Sequence, residues 1–273
     1  MTIPFRQRQN AEEPYCCAAF ILWFLVIYVL LAPCPCGAQM PDGKDIAQRI
    51  FDRDVGRDSV TEAEMVLLSA GGSERVRRLR VSVKTDGSAR KSLIRFLSPA
   101  DIEGTGFLVL EAKPGDTEQF LYLPALKRSR RIATAQKSQS FVNSDFSYED
   151  LERRAVEASQ HRVIGEETVG DVPCWILEST PLETPPSQYG MVRVWAAKEI
   201  WVPMRIQYVD KKGEHIKTYT VRNLKQVQGI WTEMEVVMEN LKDGHRTILK
   251  TLSINYNTGL DDNSFTVRAL EAW

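Results

Sequence analysis

The residue types that most often carry out chemistry in proteins are few and scattered in this sequence. The histidines His161, His215 and His245 are isolated, and none has a second ligand at a spacing that binds metal, such as i to i+4 on a helix. Gly104-Thr105-Gly106 precedes an apolar run rather than a helix start, so it does not meet the requirements of a dinucleotide-binding loop. The spacing predicts no metal site and no cofactor.

Two candidate nucleophiles remain, and each has a simpler structural interpretation. The pair Ser144-Asp145 has no third catalytic partner that the sequence identifies, and it is interpreted as the cap of a short helix whose first turn carries Glu149-Asp150. Cys174 lies in a strand-like run, where a small buried apolar side chain is the simpler interpretation and a reactive thiol is the alternative. We predict a binding protein rather than an enzyme.

The overall composition is that of an ordinary globular protein. The 273 residues are 43% hydrophobic and 26% charged, and the formal net charge of -1 gives no electrostatic reason to expect a nucleic-acid partner. No linker-like segment is long enough to separate two cores, so we predict one domain over residues 39–273.

The amino terminus has the pattern of an export signal. No charge occurs between Glu13 and Asp42, and residues 18–32 are almost wholly apolar. Small residues in Cys36-Gly37-Ala38 predict a signal peptide over residues 1–38 that is cleaved after Ala38. A retained membrane anchor is the alternative, and acylation at Cys34 is a further one.

The elements that would hold a site are mostly strands. One amphipathic helix is predicted over residues 42–57, with Ile46, Ala47, Ile50 and Phe51 on one stripe. From Thr61 onward the period changes to two, and short alternating runs follow one another with glycine-containing turns such as Asp86-Gly87 between them. Their spacing of about ten to fifteen residues favours an antiparallel meander that curls into a barrel or half-barrel.

The central stretch from Phe96 to Leu151 carries most of the functional signal. It has two apolar runs, residues 106–110 and 120–123, joined by a turn at Lys113-Pro114-Gly115-Asp116. A basic cluster at residues 127–131 follows, and then the aromatic motif Ser144–Leu151. A sheet rich in large apolar side chains with an aromatic element beside it is typical of a protein that binds an apolar ligand.

The alternation of residues along the strands identifies candidates for a ligand groove. Tyr189, Met191 and Trp195 share one face of their strand, and Met234, Val236 and Met238 share a face of another. Unbranched methionine side chains adapt to ligands of different shape, so this lining suits a lipid groove, whereas a filled core is the alternative. The predicted groove residues are Phe107, Leu121, Met191, Trp195, Met234 and Met238.

The central stretch resembles the outer-membrane lipoprotein-sorting protein family, a branch of the LolA/LolB-like carriers. The resemblance rests on Pro99–Leu108, the Leu121–Pro124 strand, Arg128–Ile132 and the motif Ser144–Leu151, with Asn143 where glycine is expected. It implies a mainly β fold, an unclosed antiparallel barrel of about eleven strands with a helical lid over its apolar concave side. It also implies a monomeric periplasmic carrier of lipid or lipoprotein acyl chains, working beside an inner-membrane exporter of the resistance-nodulation-division type.

Within that fold, a movable lid would control access to the groove. We expect Phe146, Tyr148 and Leu151 to belong to the lid. Arg130 and Arg131 would contact lid carbonyls or a lipid head group, or form a solvated rim. The alternative function is a periplasmic sensor that uses a similar half-barrel to detect lipid and to contact a membrane partner.

Overall fold

The computed structural model describes residues 40–87 and 89–272. The chain divides at Met40, and the unit Pro41–Trp273 contains the elements given below. It begins with helix α1 (Gly43–Phe51), whose cap Asp42 accepts a hydrogen bond of 3.0 Å from the backbone N–H of Lys44. The helix ends at Phe51, six residues earlier than its hydrophobic pattern predicts, and Gly56 with φ of +72° lies in the connection to the first strand.

Thirteen strands of the described residues form one antiparallel sheet. In chain order they are β1 (Asp58–Leu68), β2 (Glu74–Asp86), β3 (Ala89–Ser98), β4 (Gly106–Lys113), β5 (Asp116–Leu123), β6 (Arg128–Arg131), β7 (Ser159–Val169), β8 (Val172–Pro181), β9 (Tyr189–Ala197), β10 (Pro203–Asp210), β11 (His215–Val227), β12 (Ile230–Asn240) and β13 (His245–Tyr256). Their order across the sheet is β6-β5-β4-β3-β2-β1-β13-β12-β11-β10-β9-β8-β7.

The first strand, β1, and the last strand, β13, pair in the middle of the sheet, so the two edge strands come from the middle of the chain. Strand β1 pairs with β13, so one arm of the sheet is β1–β6 and the other is β7–β13. β6 and β7 are neighbours in sequence but lie at opposite edges. The segment 132–158 that joins them must therefore cross a face of the sheet, and it covers the apolar one.

The two faces of the sheet are covered by different segments. The face that we call concave is covered by segment 132–158 and by α1, which packs on β7 and β8. The convex face of β3–β5 is covered by the carboxyl-terminal helix α2 (Val267–Glu271), with Phe265 and Leu270 packed on Leu108. Arg95 points to this side and donates a hydrogen bond of 2.6 Å from Nη1 to the carbonyl of Leu270.

The predicted fold class is confirmed: the structure is mainly β, with a single antiparallel sheet that does not close into a barrel. The strand count exceeds the predicted eleven partly because the basic cluster Arg128–Arg131 is itself an edge strand, paired with β5. In place of the predicted helical lid, segment 132–158 contains three short 3-10 helices, Thr134–Gln136, Glu149–Leu151 and Val156–Ala158. The predicted signal peptide and its cleavage site lie outside the described residues.

Candidate functional site

An aromatic segment, residues 141–151, lies on the concave face and is called the plug below. The ring of Phe141 lies 4.9 Å from that of Phe107 and 6.0 Å from that of Phe96, measured between centroids. Tyr148 completes the group, 5.5 Å from Phe107 and 5.8 Å from Phe141. These rings are almost fully buried, so the plug fills this part of the half-barrel as a hydrophobic core.

Polar side chains of the sheet hold the first part of the plug. Nη1 of the buried Arg77 donates a hydrogen bond of 2.6 Å to the carbonyl oxygen of Val142. Asp145 accepts a hydrogen bond of 2.7 Å from the hydroxyl of Thr247, which in turn accepts one of 2.9 Å from the backbone N–H of Asp145. Burial raises the pKa of Asp145 and lowers that of Arg77.

A buried ion pair holds the second part of the plug. Lys217 Nζ lies 2.5 Å from Asp150 Oδ2, and the hydroxyl of Tyr189 donates a hydrogen bond of 2.5 Å to Asp150 Oδ1. Glu149 accepts hydrogen bonds from the Ser187 hydroxyl and from the backbone N–H of Gln188. The plug is thereby tied to β9, to β11 and to the proline-containing loop before β9.

A cavity of about 510 Å³ lies beside the plug, between α1 and strands β8–β10. This volume is within the range of roughly 300–1,000 Å³ that is typical of small-ligand pockets. Much of its wall is apolar. The apolar and aromatic residues of the wall include Ala47, Ile50, Phe51, Val156, Leu177, Tyr189, Val192, Val194 and Tyr208.

The mouth of the cavity is polar, and the loop of residues 182–188, which contains Pro185 and Pro186, reaches it. Arg154 donates hydrogen bonds of 2.8 Å to the carbonyl of Ala158 and 3.1 Å to that of Pro185, which joins two sides of the mouth. Lys137 and Glu152 form an ion pair of 2.6 Å on another side. Burial raises the pKa of Glu152, and its partner Lys137 partly offsets this.

Charged residues extend from the cavity wall across the concave face. Arg153, which lines the cavity, donates two hydrogen bonds of 3.0 Å to the carboxylate of Glu111 and lies 4.4 Å from the ring centroid of Phe51. Nearby, Arg53 and Glu233 form an ion pair of 3.4 Å, and both are largely buried.

Three of the predicted groove residues lie under the plug rather than in the cavity wall. Phe107, Leu121 and Met238 are buried in one cluster with the plug, and Met238 has no exposed surface. Met234 is half-buried, and it lies in β12 where the pairing with β11 shifts from Asn223–Glu235 to Leu224–Glu233.

The other two predicted groove residues, Met191 and Trp195, lie on the face opposite to the cavity. They alternate along β9 with Val192 and Val194, which line the cavity. The indole N–H of Trp195 donates a hydrogen bond of 2.6 Å to Glu167. Tyr189 reaches the cavity although the simple alternation puts it with Met191, because a β-bulge shifts the register at Gly190.

The predicted lid residues belong to the plug. Phe146 and Tyr148 are buried in its cluster and Leu151 packs against that cluster. Of the predicted rim residues, Arg130 lies near the hydroxyl of Tyr148, where its charge counteracts the effect of burial, which raises the pKa of that hydroxyl. Arg131 is exposed and forms an ion pair of 2.8 Å with Glu118.

The interpretation of Ser144-Asp145 as a helix cap was wrong. The hydroxyl of Ser144 donates a hydrogen bond of 2.7 Å to the carbonyl of Phe141, and Asp145 is bound to Thr247. The turn at Glu149–Leu151 is instead held by Ser147 and Asp150, each of which accepts a hydrogen bond from the backbone N–H of the other. Tertiary contacts across the sheet, which the local sequence does not show, decide the roles of Ser144 and Asp145.

Four residues of the site were not among those predicted from the sequence: Arg77, Phe141, Asp150 and Lys217. Phe141 was within reach of prediction, because it belongs to the same aromatic stretch as Phe146 and Tyr148. Asp150 was interpreted as a helix-turn charge, and its buried partner Lys217 is distant in sequence, so only the fold brings the two together.

Two further findings concern membranes and metals. In the part of the chain that the structure describes, no helix is long and apolar enough to span a bilayer. Among the same residues, no group of three or more histidine, cysteine or acidic side chains is arranged to hold a metal ion.

Comparison with known proteins finds structural relatives that cover most of this chain. A family model with the description "Uncharacterized protein" matches residues 88–272. A crystal structure of an outer membrane lipoprotein-sorting protein domain from Vibrio parahaemolyticus is 34% identical, with a TM-score of 0.79, over 84% of this chain and 98% of that chain. No curated protein matches the chain.

Two further solved structures are similar. A DUF1329 family protein from Desulfovibrio piger is 33% identical, with a TM-score of 0.79, over 84% of this chain and 97% of that one. A LolA superfamily protein from Nitrosomonas europaea is 18% identical with a TM-score of 0.65, over 83% of this chain and 98% of that one, and it shows a shared fold.

Proposed function

The chain belongs to the outer-membrane lipoprotein-sorting family of LolA-like proteins, and we propose that it is a periplasmic carrier that binds the acyl chains of lipids or lipoproteins. The cavity of about 510 Å³ beside the plug carries this proposal. The side of its wall that α1 and strands β8–β10 form is rich in aliphatic and aromatic side chains, which favour an alkyl chain. Each methylene transferred from water into it contributes roughly 0.8 kcal/mol.

A carrier must also release its cargo, so one wall of the cavity should open. The plug is an unsuitable moving part, because Arg77, Thr247 and Lys217 anchor it to three different strands. Helix α1 is held differently: it contributes Ile46 and Ala47 to an apolar cluster, and its ion pair of 3.9 Å between Lys44 and Glu157 is largely exposed. Such a pair contributes little to the stability of the closed position, so α1 forms the wall that moves.

The remaining expectations follow from the family and from the sequence. The protein is exported, its signal peptide is cleaved after Ala38, and it works as a monomer without catalytic activity. Delivery toward the outer membrane, beside an inner-membrane exporter, completes the proposed role. A regulator that senses lipid would instead form a stable complex with one membrane protein.

The test compares two neighbours on β9 that face opposite sides of the sheet. Val192→Glu places a charge in the cavity wall, whereas the matched control Met191→Glu places one on the other face. We expect Val192→Glu to reduce the lipid that co-purifies with the protein at least about tenfold, because an unpaired carboxylate in an apolar wall repels an alkyl chain. Native mass spectrometry with lipid extraction measures the bound lipid.

Met191→Glu should retain the lipid content of the unmodified protein. Equal lipid content in both variants would contradict the assignment of the cavity. Complete absence of lipid from the unmodified protein, even after incubation with membrane lipids, would contradict the carrier function itself.

A further inference from the structure

The guanidinium of Arg90 has an unusual position on the concave face. Arg90 lies on β3 directly opposite Glu111 of β4, and Glu111 lies opposite Thr117 of β5. Residues directly opposite in antiparallel strands project to the same face with their Cβ atoms about 5 Å apart. Thr117 and Arg153, the ion-pair partner of Glu111, both line the cavity. Arg90 therefore lies next to the cavity wall.

The charges around Arg90 do not neutralise it. Glu111 is already bound by two hydrogen bonds from Arg153, and Glu233 is paired with Arg53. Three guanidinium groups thus share two carboxylates in this part of the concave face. Burial, followed by repulsion from Arg153 and Arg53, lowers the pKa of Arg90 to about 10.

Two hydrogen-bonding groups at this position lack a partner. Among the residues that the structure describes, the guanidinium of Arg90 has no hydrogen-bond or ion-pair partner, because the two nearby carboxylates are bound by Arg153 and Arg53. Thr85, directly opposite Arg90 on β2, has a buried hydroxyl that is also without a hydrogen-bond partner in the described chain. The hydroxyl of Thr85 is buried, where a polar group without a partner is costly, and the unpaired guanidinium of Arg90 beside it is half-buried. Two such groups side by side, next to a ligand cavity, indicate a place where a ligand's polar end binds.

We propose that Arg90 and Thr85 bind the anionic head group, a carboxylate or a phosphate, of an amphiphile whose alkyl chain occupies the cavity. This inference rests on the proposed carrier function and specifies its cargo as an anionic amphiphile. The guanidinium offers several donors in one plane and the hydroxyl offers one more, which suits the oxygens of either head group.

The test measures binding of probes that share an alkyl chain and differ in the head group. The probes are laurate, dodecyl phosphate and dodecanol, with inorganic phosphate alone as a fourth, and the measurement is titration calorimetry on the purified full chain. We expect laurate and dodecyl phosphate to bind at least about tenfold more tightly than dodecanol. Inorganic phosphate should bind more weakly than dodecyl phosphate, because it has no chain to bury.

Variants assign this preference to the site. Arg90→Gln should remove the preference for anionic probes while the affinity for dodecanol stays within about twofold. Arg90→Lys should retain part of it, and Thr85→Val should weaken the anionic probes several-fold. Arg80→Gln is the matched control, because Arg80 is exposed and pairs with Glu62 at 2.8 Å. It should bind all probes as the unmodified protein does.

Each outcome decides the proposal. If the unmodified protein binds dodecanol as tightly as laurate and dodecyl phosphate, or if Arg90→Gln retains the preference, the head-group site is wrong and the carrier function stands. If inorganic phosphate binds as tightly as dodecyl phosphate, the site takes a free anion and the amphiphile is wrong. If no alkyl probe binds, both proposals fail. A thermal midpoint for Arg90→Gln at or above that of the unmodified protein verifies that it folds, since the substitution relieves repulsion.

Discussion

Val142 and Asn143 have positive φ angles of 45° and 60°, a conformation that a β-branched valine rarely adopts. Such a backbone persists only where surrounding contacts hold it. The contact here is the hydrogen bond of 2.6 Å from Arg77 to the carbonyl of Val142. Arg77 is 6% exposed, so this carbonyl would otherwise be left without a strong donor on a buried surface. A single side chain of β2 therefore fixes the start of the plug.

We predict that Arg77→Met lowers the free energy of unfolding by about 1.5–3 kcal/mol, because it removes a charged donor from a carbonyl. Arg78→Met is the control: Arg78 is adjacent, projects to the other face and is exposed, so it should change stability by about 0.5 kcal/mol or less. Urea denaturation followed by fluorescence measures both. Equal losses in the two variants would show that the bond to Val142 does not anchor the plug.

At the scale of the element, one bulge in β9 determines which side chains form the cavity. The register shifts at Gly190, so that Tyr189 shares a face with Val192 and Val194 rather than with Met191. A Cβ atom at Gly190 would lie 2.7 Å from the carbonyl oxygen of Asp210, closer than real Cβ contacts allow. Only glycine fits there, and the bulge brings Tyr189 to Asp150.

Gly190→Ala should therefore lower the free energy of unfolding by about 1–3 kcal/mol and weaken laurate binding, because the strand end must move and carry Tyr189 with it. Gly165→Ala on β7 is the matched control, since the nearest atom to its Cβ would be Ile176 Cδ1 at 3.9 Å. It should leave stability unchanged or raise it by up to about 1 kcal/mol. Calorimetry gives both quantities, and unaltered laurate binding by Gly190→Ala would contradict the role of the bulge.

The strands were largely predictable from sequence, because alternation and glycine turns are local signals. Asp86-Gly87 and Lys113–Asp116 form the turns that they predicted. Alternation alone could not predict which residues of β9 face the cavity, since one bulged residue exchanges the two faces of the strand beyond it. A glycine inside a strand pattern is nevertheless a recognised sign of a bulge. This is why Met191 and Trp195 were selected while Tyr189, Val192 and Val194 line the cavity.

The interior charges were harder to foresee than the strands. Arginine and lysine that alternate with apolar residues along a strand are typical of a solvated outer face, and this holds for Arg78 and Arg80 of β2. Arg77 and Arg95 are instead buried, because the crossing segment 132–158 and helix α2 cover the two faces of this arm. Which face is covered depends on the strand order across the whole sheet, and no local pattern contains that order.

At the scale of the whole molecule, the two arms of the sheet meet at β1 and β13, and Asp58 fixes one end of this seam. Its carboxylate accepts hydrogen bonds of 2.6 Å and 2.7 Å from the backbone N–H and hydroxyl of Thr258, and one of 3.1 Å from the N–H of Gly259. Burial raises the pKa of Asp58, but these hydrogen bonds outweigh it, so the pKa lies below its ordinary value. The chain then continues to α2, so the same carboxylate positions the convex cover.

The sign of the resulting pH dependence follows from that direction. A carboxyl group with a lowered pKa in the folded state stabilises the fold above its unfolded pKa of about 3.9, and this contribution is lost as the pH falls through the folded value. Asp58→Asn should lower the thermal midpoint between pH 5 and 7 by a constant amount, because an amide cannot accept all three bonds. Below about pH 4 the unmodified protein loses the same contribution, so the gap between the two midpoints should narrow.

Asp171→Asn, in an exposed turn between β7 and β8, should show no such gap. Differential scanning calorimetry from pH 7 to pH 3 measures the midpoints, and a gap that stays constant or widens toward pH 3 would mean that the charge of Asp58 does not hold the seam between the arms.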